Sequence, residues 1–110
     1  MKDIINNYLE KFEDETKERF SLLYGVIYES NSKNIEEKSW AKLPSFYVGD
    51  AFVRLIPFKD HINIEAKAVL LHREELKGYK ITPKGMLQIF HNQEIPYKVL
   101  KKIFRESLEG

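Results

Sequence analysis

The residues of this chain best suited to chemistry are a run of carboxylates near its start. Glu10, Glu13, Asp14, Glu15 and Glu18 crowd one short stretch. On an unbroken helix Glu10, Asp14 and Glu18 stand at i, i+4 and i+8 on one face. Oxygen ligands so placed suit a hard or borderline cation, with water completing its shell. The same acids also suit a solvated helix face, helped by Lys11, Lys17 and Arg19.

A second group is basic and aromatic. Lys59, His61, Tyr79, Lys80, Thr82 and Lys84 are expected to converge on an anion, with Gly85 allowing close backbone approach and Tyr47 bordering the same cleft. Thr82-Pro83-Lys84-Gly85 supplies donors and a turn but lacks the glycine-rich body of a phosphate loop. The histidines are His61, His72 and His91, and none has a second histidine at i+4, so the zinc pattern is missing. Trp40, Phe46, Tyr47 and Phe52 alternate along expected strands, which suits a core first and a stacking surface second. No Gly-x-Ser-x-Gly elbow, paired-histidine motif or P-loop is present, and the chain reads as a binding protein rather than an enzyme.

Composition narrows the classes further. With 110 residues the chain fits one domain, 1–110, and its 43% hydrophobic content supports a packed core. There is no cysteine, which excludes disulfides, thiolate metal sites and cysteine nucleophiles and suits the cytoplasm. Met1 to Asn6 lacks the apolar run of a signal peptide, and no stretch is long enough to span a membrane. A net charge of +1 removes the footprint expected of a nucleic-acid binder. The acids lean toward the first half of the chain and the cations toward the second.

Positioning these groups requires helices first and a sheet after them. Ile4, Ile5, Tyr8, Leu9 and Phe12 recur at helical spacing. A break near Phe12 to Glu15 is expected, with Asp14 capping a second helix whose buried face holds Phe20, Leu23, Tyr24 and Ile27. Residues 30–34 form a polar loop. Alternation over 36–43 and 45–48 reads as strand, interrupted by Pro44. Gly49-Asp50 suits a type II′ hairpin turn into Ala51–Phe58, and Lys59-Asp60 turns again into His61–Glu65. Ala66 to Leu76 reads as helix ending at Gly78. Residues 79–85 read as loop, Met86–Phe90 as a last strand, and Pro96 opens a helix with Val99, Leu100, Ile103 and Phe104 as its stripe. The expected fold is α+β: an antiparallel sheet of about five strands, with N- and C-terminal helices on one face. Nothing decides between a monomer and a weak edge-strand dimer.

Four segments together resemble a family: Trp40 to Tyr47, Leu55 to Ile62, Leu76 to Tyr79 and Thr82 to Ile89. They are similar to the YdhG-like family of small bacterial proteins, whose pattern runs through a "MPAFY" strand, an "F-x-x-F-K-x-H-I-G" hairpin, an "L-K-x-Y" helix end and a "K-G-T-I-Q-F" strand. The likeness spans about residues 2 to 108. Asn63 stands where the pattern has Gly, and Glu65-Ala66-Lys67 replaces its Tyr-Pro. The resemblance implies the α+β fold already read. It also implies a frataxin-like iron chaperone, carrying weakly held, transferable iron to iron–sulfur or haem assembly partners. The positions that suit that part are Glu10, Glu13, Asp14, Glu15 and Glu18. The alternative reading is a non-catalytic module for a small anion or protein segment, in a cleft around Tyr47, Lys59, His61, Tyr79 and Lys84.

Overall fold

The computed structural model describes residues 1–31 and 34–109; Ser32 and Lys33, in the expected polar loop, and Gly110 lie outside the described residues. Helix α1 spans Asp3–Leu9 and α2 spans Asp14–Ser30. Strands β1 (Glu36–Trp40), β2 (Leu43–Val48), β3 (Ala51–Pro57) and β4 (His61–Glu65) follow as a meander. A 3₁₀ segment, Lys67–Leu76, leads to β5 (Lys80–Ile81), β6 (Leu87–Phe90) and the closing helix α3 (Tyr97–Glu109). The six strands lie in the order β1-β2-β3-β4-β6-β5, every neighbouring pair antiparallel. This is the expected α+β architecture with one strand more.

Side-chain alternation decides which face is covered. Phe46, Val53, Leu55, Ile62, Ile64, Leu87 and Ile89 project to one face and are fully buried. Against them pack Ile5 and Leu9 of α1, Phe20, Leu23, Val26 and Ile27 of α2, and the α3 stripe. Val99, Leu100, Ile103 and Phe104 recur every three to four residues, so one side of α3 buries completely while Lys98, Lys101, Lys102 and Arg105 stay exposed. The opposite face carries Trp40, Tyr47, Phe52, Arg54, Ile56 and Asn63. There Arg54 is 3% exposed, its guanidinium lying between the rings of Trp40 and Phe52 and bonded to Ser45, Tyr47 and Glu65.

Three local expectations need correction. Pro44 does not interrupt a strand; it is buried inside β2, opposite Ser39. The chain reverses at Ala41-Lys42, both at positive φ (50° and 68°), a two-residue turn of the type I′ kind without its usual Asn or Gly. Pairing alternates between bonded and unbonded rows, so Pro44 falls in an unbonded row toward β1, and the β2–β3 ladder begins only at Ser45. Asp14 is the first residue of α2 and not its cap; Glu13 holds that position without a side-chain cap bond. Lys80–Ile81, read as loop, is a strand.

Other expectations hold. Val48 pairs Ala51 across Gly49-Asp50, with φ positive at Gly49 (61°) and not at Asp50, as a type II′ turn requires. Gly78 follows the 3₁₀ segment at φ 94°.

Candidate functional site

The structure breaks up both sets of residues read from the sequence. Glu10 sits beyond the end of α1, while Asp14, Glu15 and Glu18 lie on α2, so the i, i+4, i+8 face does not form. All five acids are exposed. Among the described residues no group of three or more His, Asp and Glu side chains is placed to hold a metal ion.

The anion set also divides. Tyr47 lies opposite Phe52, whereas His61 lies opposite Phe58 across the next turn, six residues further along the chain. At the rise of a strand that is roughly 20 Å. His61 pairs Phe90 at one end of the β4–β6 ladder, and Lys84 belongs to the loop beyond Leu87 at the other. Tyr47, Lys59, His61, Tyr79 and Lys84 therefore do not share one cleft. Tyr47 is part of the Arg54 cluster, and the other four fall into two separate places.

The first place is a polar cleft of about 700 Å³ where the start of α2 meets the β3–β4 turn and the end of β6, lined by Glu13, Glu15, Lys59, Asp60, Phe90, His91 and Asn92. His91 Nε2 is 2.9 Å from Thr16 Oγ1, which lies 3.4 Å from the Lys59 carbonyl oxygen. A hydroxyl that donates to that carbonyl accepts from Nε2–H, which leaves Nδ1 as a bare lone pair, buried and without a partner among the described residues. Burial pushes the His91 ring below the usual histidine range, against the opposing pull of the Glu15 carboxylate and with a smaller push from Arg19. His61 stacks between Phe58 and Phe90 and holds Asp60 at 2.7 Å, which lowers that carboxyl.

The second place is a cleft of about 490 Å³ between the 3₁₀ segment and the β5–β6 loop. Its lining brings together Tyr79, Thr82, Lys84 and Gly85, four of the residues expected to meet an anion, and adds Arg73 and Lys77, which sequence reasoning missed. The apolar surface comes from Leu70, Leu76, Tyr79, Ile81 and Pro83, and no acidic side chain lines it. Lys77 is paired with exposed Glu74 at 3.1 Å. Among the described residues Arg73 and Lys84 have no carboxylate partner.

Both walls of this cleft are braced. Thr82 closes its own loop: its N–H donates to the Met86 carbonyl (2.8 Å), its carbonyl accepts from Gly85 N–H (2.8 Å), and its hydroxyl oxygen accepts from Met86 N–H (3.1 Å). On the other side, Tyr79 N–H donates to the Leu76 carbonyl, Tyr79 Oη donates to the Glu94 carbonyl (2.6 Å), and Gln93 Nε2 donates to the Gly78 carbonyl (3.0 Å). The one signal available from sequence was the pair Arg73 and Lys77 at i, i+4, followed by Gly78 and Gly85, two glycines that permit tight turns. It carries no direction until the segment has a partner.

No family model matches the chain, and no curated protein or solved structure matches it either. The fold and these two clefts are thus what define it: an α+β domain with an open antiparallel sheet. Among the described residues no helix is long and apolar enough to cross a membrane.

Proposed function

We propose that this protein is a non-catalytic binding module for a small anion with an apolar body, such as a medium-chain carboxylate, held in the cleft between the 3₁₀ segment and the β5–β6 loop. The observation that carries this reading is the lining itself: three cations and no acid around an apolar floor. Ligand sites combine apolar walls with a few placed polar groups, and an anion of mixed character meets both needs here. A guanidinium and an ammonium without carboxylate partners among the described residues supply the charge, and the hydrogen-bonded Thr82–Met86 loop holds the Lys84 wall before the ligand arrives.

The iron carrier implied by the YdhG-like resemblance has less support, because the five acids divide between the α1–α2 connection and the first turns of α2, and no three of them are grouped to hold a metal ion. It belongs in the same experiment. Thermal unfolding is followed with octanoate, inorganic phosphate or iron(II) added to the wild-type chain and to the Arg73→Glu/Lys84→Glu double variant. At ten times its Kd a ligand of the folded state adds about 1.4 kcal/mol, a rise of several degrees for a domain this size. Octanoate raises the wild-type midpoint and not that of the double variant. Equal responses from both chains, or a response to iron(II) alone, overturn the reading.

A further inference from the structure

His72 sits where the 3₁₀ segment kinks, with φ −112° and ψ 24°, between a first turn that carries Leu70 and a second that carries Arg73, Leu76 and Lys77. Both of its ring nitrogens are engaged. Nδ1 lies 2.7 Å from Glu75 Oε1 on its own segment, and Nε2 lies 2.8 Å from Glu106 Oε1 on α3. A neutral imidazole has one N–H, so two bonds to carboxylates need the imidazolium. Lys102 of α3 holds the far oxygen of Glu75 at 3.2 Å, which ties the same corner a second time. Glu75 and Glu106 are the charged groups that act on the ring, and both carboxylates favour its protonated form over the opposing effect of burial. The loop that packs on Leu70 carries one charged residue, Lys84, which lines the cleft.

The two turns are fastened to α3 by different chemistry. In the first, the buried Ala68 N–H donates to Ser107 Oγ at 3.1 Å, a bond without a titrating partner. In the second, the tie runs through His72 and Lys102. Losing a proton from His72 removes one of its two donors and the charge that attracts Glu106, while the Ser107 bond is untouched.

We infer that His72 is a pH-dependent latch that holds the cleft-lining second turn against α3 while protonated and loosens it when it loses its proton, leaving the Glu75–Lys102 pair as the remaining tie. That the latch tunes ligand affinity rests on the anion reading above; that it loosens does not. Imidazolium keeps Arg73 and Lys77 at their fixed spacing across from Lys84, and loosening lets them drift from it.

Amide hydrogen exchange at pH 6.0 and pH 8.5, corrected for intrinsic rates, reads the latch without any ligand. Protection of residues 73–77 is expected to fall at least ten-fold at the higher pH, with residues 68–70 unchanged. His72→Gln should show the low value at both pH values. Should that variant fold poorly, Glu106→Gln serves instead, with its transition moved to lower pH. Protection of 73–77 that is flat with pH in the wild type overturns the latch. Octanoate titration at the same two pH values separates the two ideas. Weaker octanoate binding at pH 8.5, abolished as a pH effect in His72→Gln, supports the tuning. Binding that is equal at both pH values overturns the tuning and leaves the anion reading standing. No binding at either pH overturns the anion reading, and exchange alone then decides the latch.

Discussion

Leu70 closes over Gly85: a Cβ built on that glycine would stand 3.5 Å from Leu70 Cδ1. This contact joins the 3₁₀ segment to the β5–β6 loop and makes one wall of the basic cleft. The distance is ordinary van der Waals contact, so space is not what demands glycine. The backbone is, because φ at Gly85 is 88°.

Gly85→Ala should therefore destabilise the protein by about 1–2 kcal/mol through backbone strain. Gly25, inside α2 with nothing within 4 Å of a built Cβ, is the control. Gly25→Ala should stabilise by about 0.5–1 kcal/mol, since alanine is the better helix former. Urea unfolding of the two variants reads both signs, and two changes of the same sign contradict the account.

How much of this was legible beforehand depended on whether the deciding contact was local. The α3 stripe and the Gly49-Asp50 hairpin are written in neighbouring residues, and both formed as read. The Ala41-Lys42 turn was illegible because it uses neither of the residue types that favour positive φ, and the β1–β2 pairing imposes it. Strand β5 is two residues long and exists only as a partner of β6. At the sites the same division holds. Tyr79, Thr82, Lys84 and Gly85 are close in sequence and stayed together, whereas Thr16 and His91 lie 75 residues apart and no local pattern links them. Glu10 was grouped with Asp14 and Glu18 on the premise of an unbroken helix, which the gap between α1 and α2 removes.

Glu37 gives a prediction on the acid side. It is buried on β1, where both Tyr24 and Tyr28 hydroxyls donate to Oε2 and the Lys2 N–H donates to Oε1 at 2.8 Å. Burial by itself raises a carboxyl, but these three donors and the nearby N-terminal amine outweigh it and hold Glu37 below its usual range. A carboxyl depressed in the folded state stabilises above its unfolded pKa, and that contribution disappears as pH falls through the folded value. Glu37→Gln should lower the melting temperature at pH 7 and lose less further stability than the wild type between pH 5 and pH 3. Parallel pH profiles for the two proteins rule this out.

His72 and His91 should show opposite signs. The His72 carboxylate partners raise its pKa, so its contribution is complete below the ordinary histidine value and is lost as pH rises through the folded one. Burial lowers His91, so its contribution is complete above the ordinary value, about 6.5, and is lost as pH falls below it. The stability deficit of His72→Gln should be larger at pH 5.5 than at pH 8.5. That of His91→Gln should be larger at pH 8.5. Melting temperatures at those two pH values test both, and a common sign refutes the assignment of one ring.

Arg54 is the most exacting polar residue of the open sheet face. Its Nε donates to Ser45 Oγ at 2.8 Å, and its two terminal nitrogens reach Glu65 at 2.7 Å and the Tyr47 hydroxyl at 3.1 Å. The guanidinium carbon, Cζ, lies 4.3 Å from the Trp40 ring centre and 4.1 Å from that of Phe52. Breaking a fully buried pair costs about 3–5 kcal/mol. The Glu65 side chain is 34% exposed, and water recovers part of its charge, so Arg54→Met should cost roughly 2–3 kcal/mol, toward or below that range's lower end. Lysine keeps the charge but not the flat fork that bonds three partners and stacks on two rings, so Arg54→Lys should recover less than half of the loss. Trp40 is the chain's single tryptophan and more than half exposed, which makes its fluorescence a local reporter of the same cluster. Both substitutions should shift its emission before unfolding begins. Native emission unchanged in Arg54→Met, together with stability within about 0.5 kcal/mol of the wild type, the range of an ordinary surface substitution, contradicts a structural role for the stack.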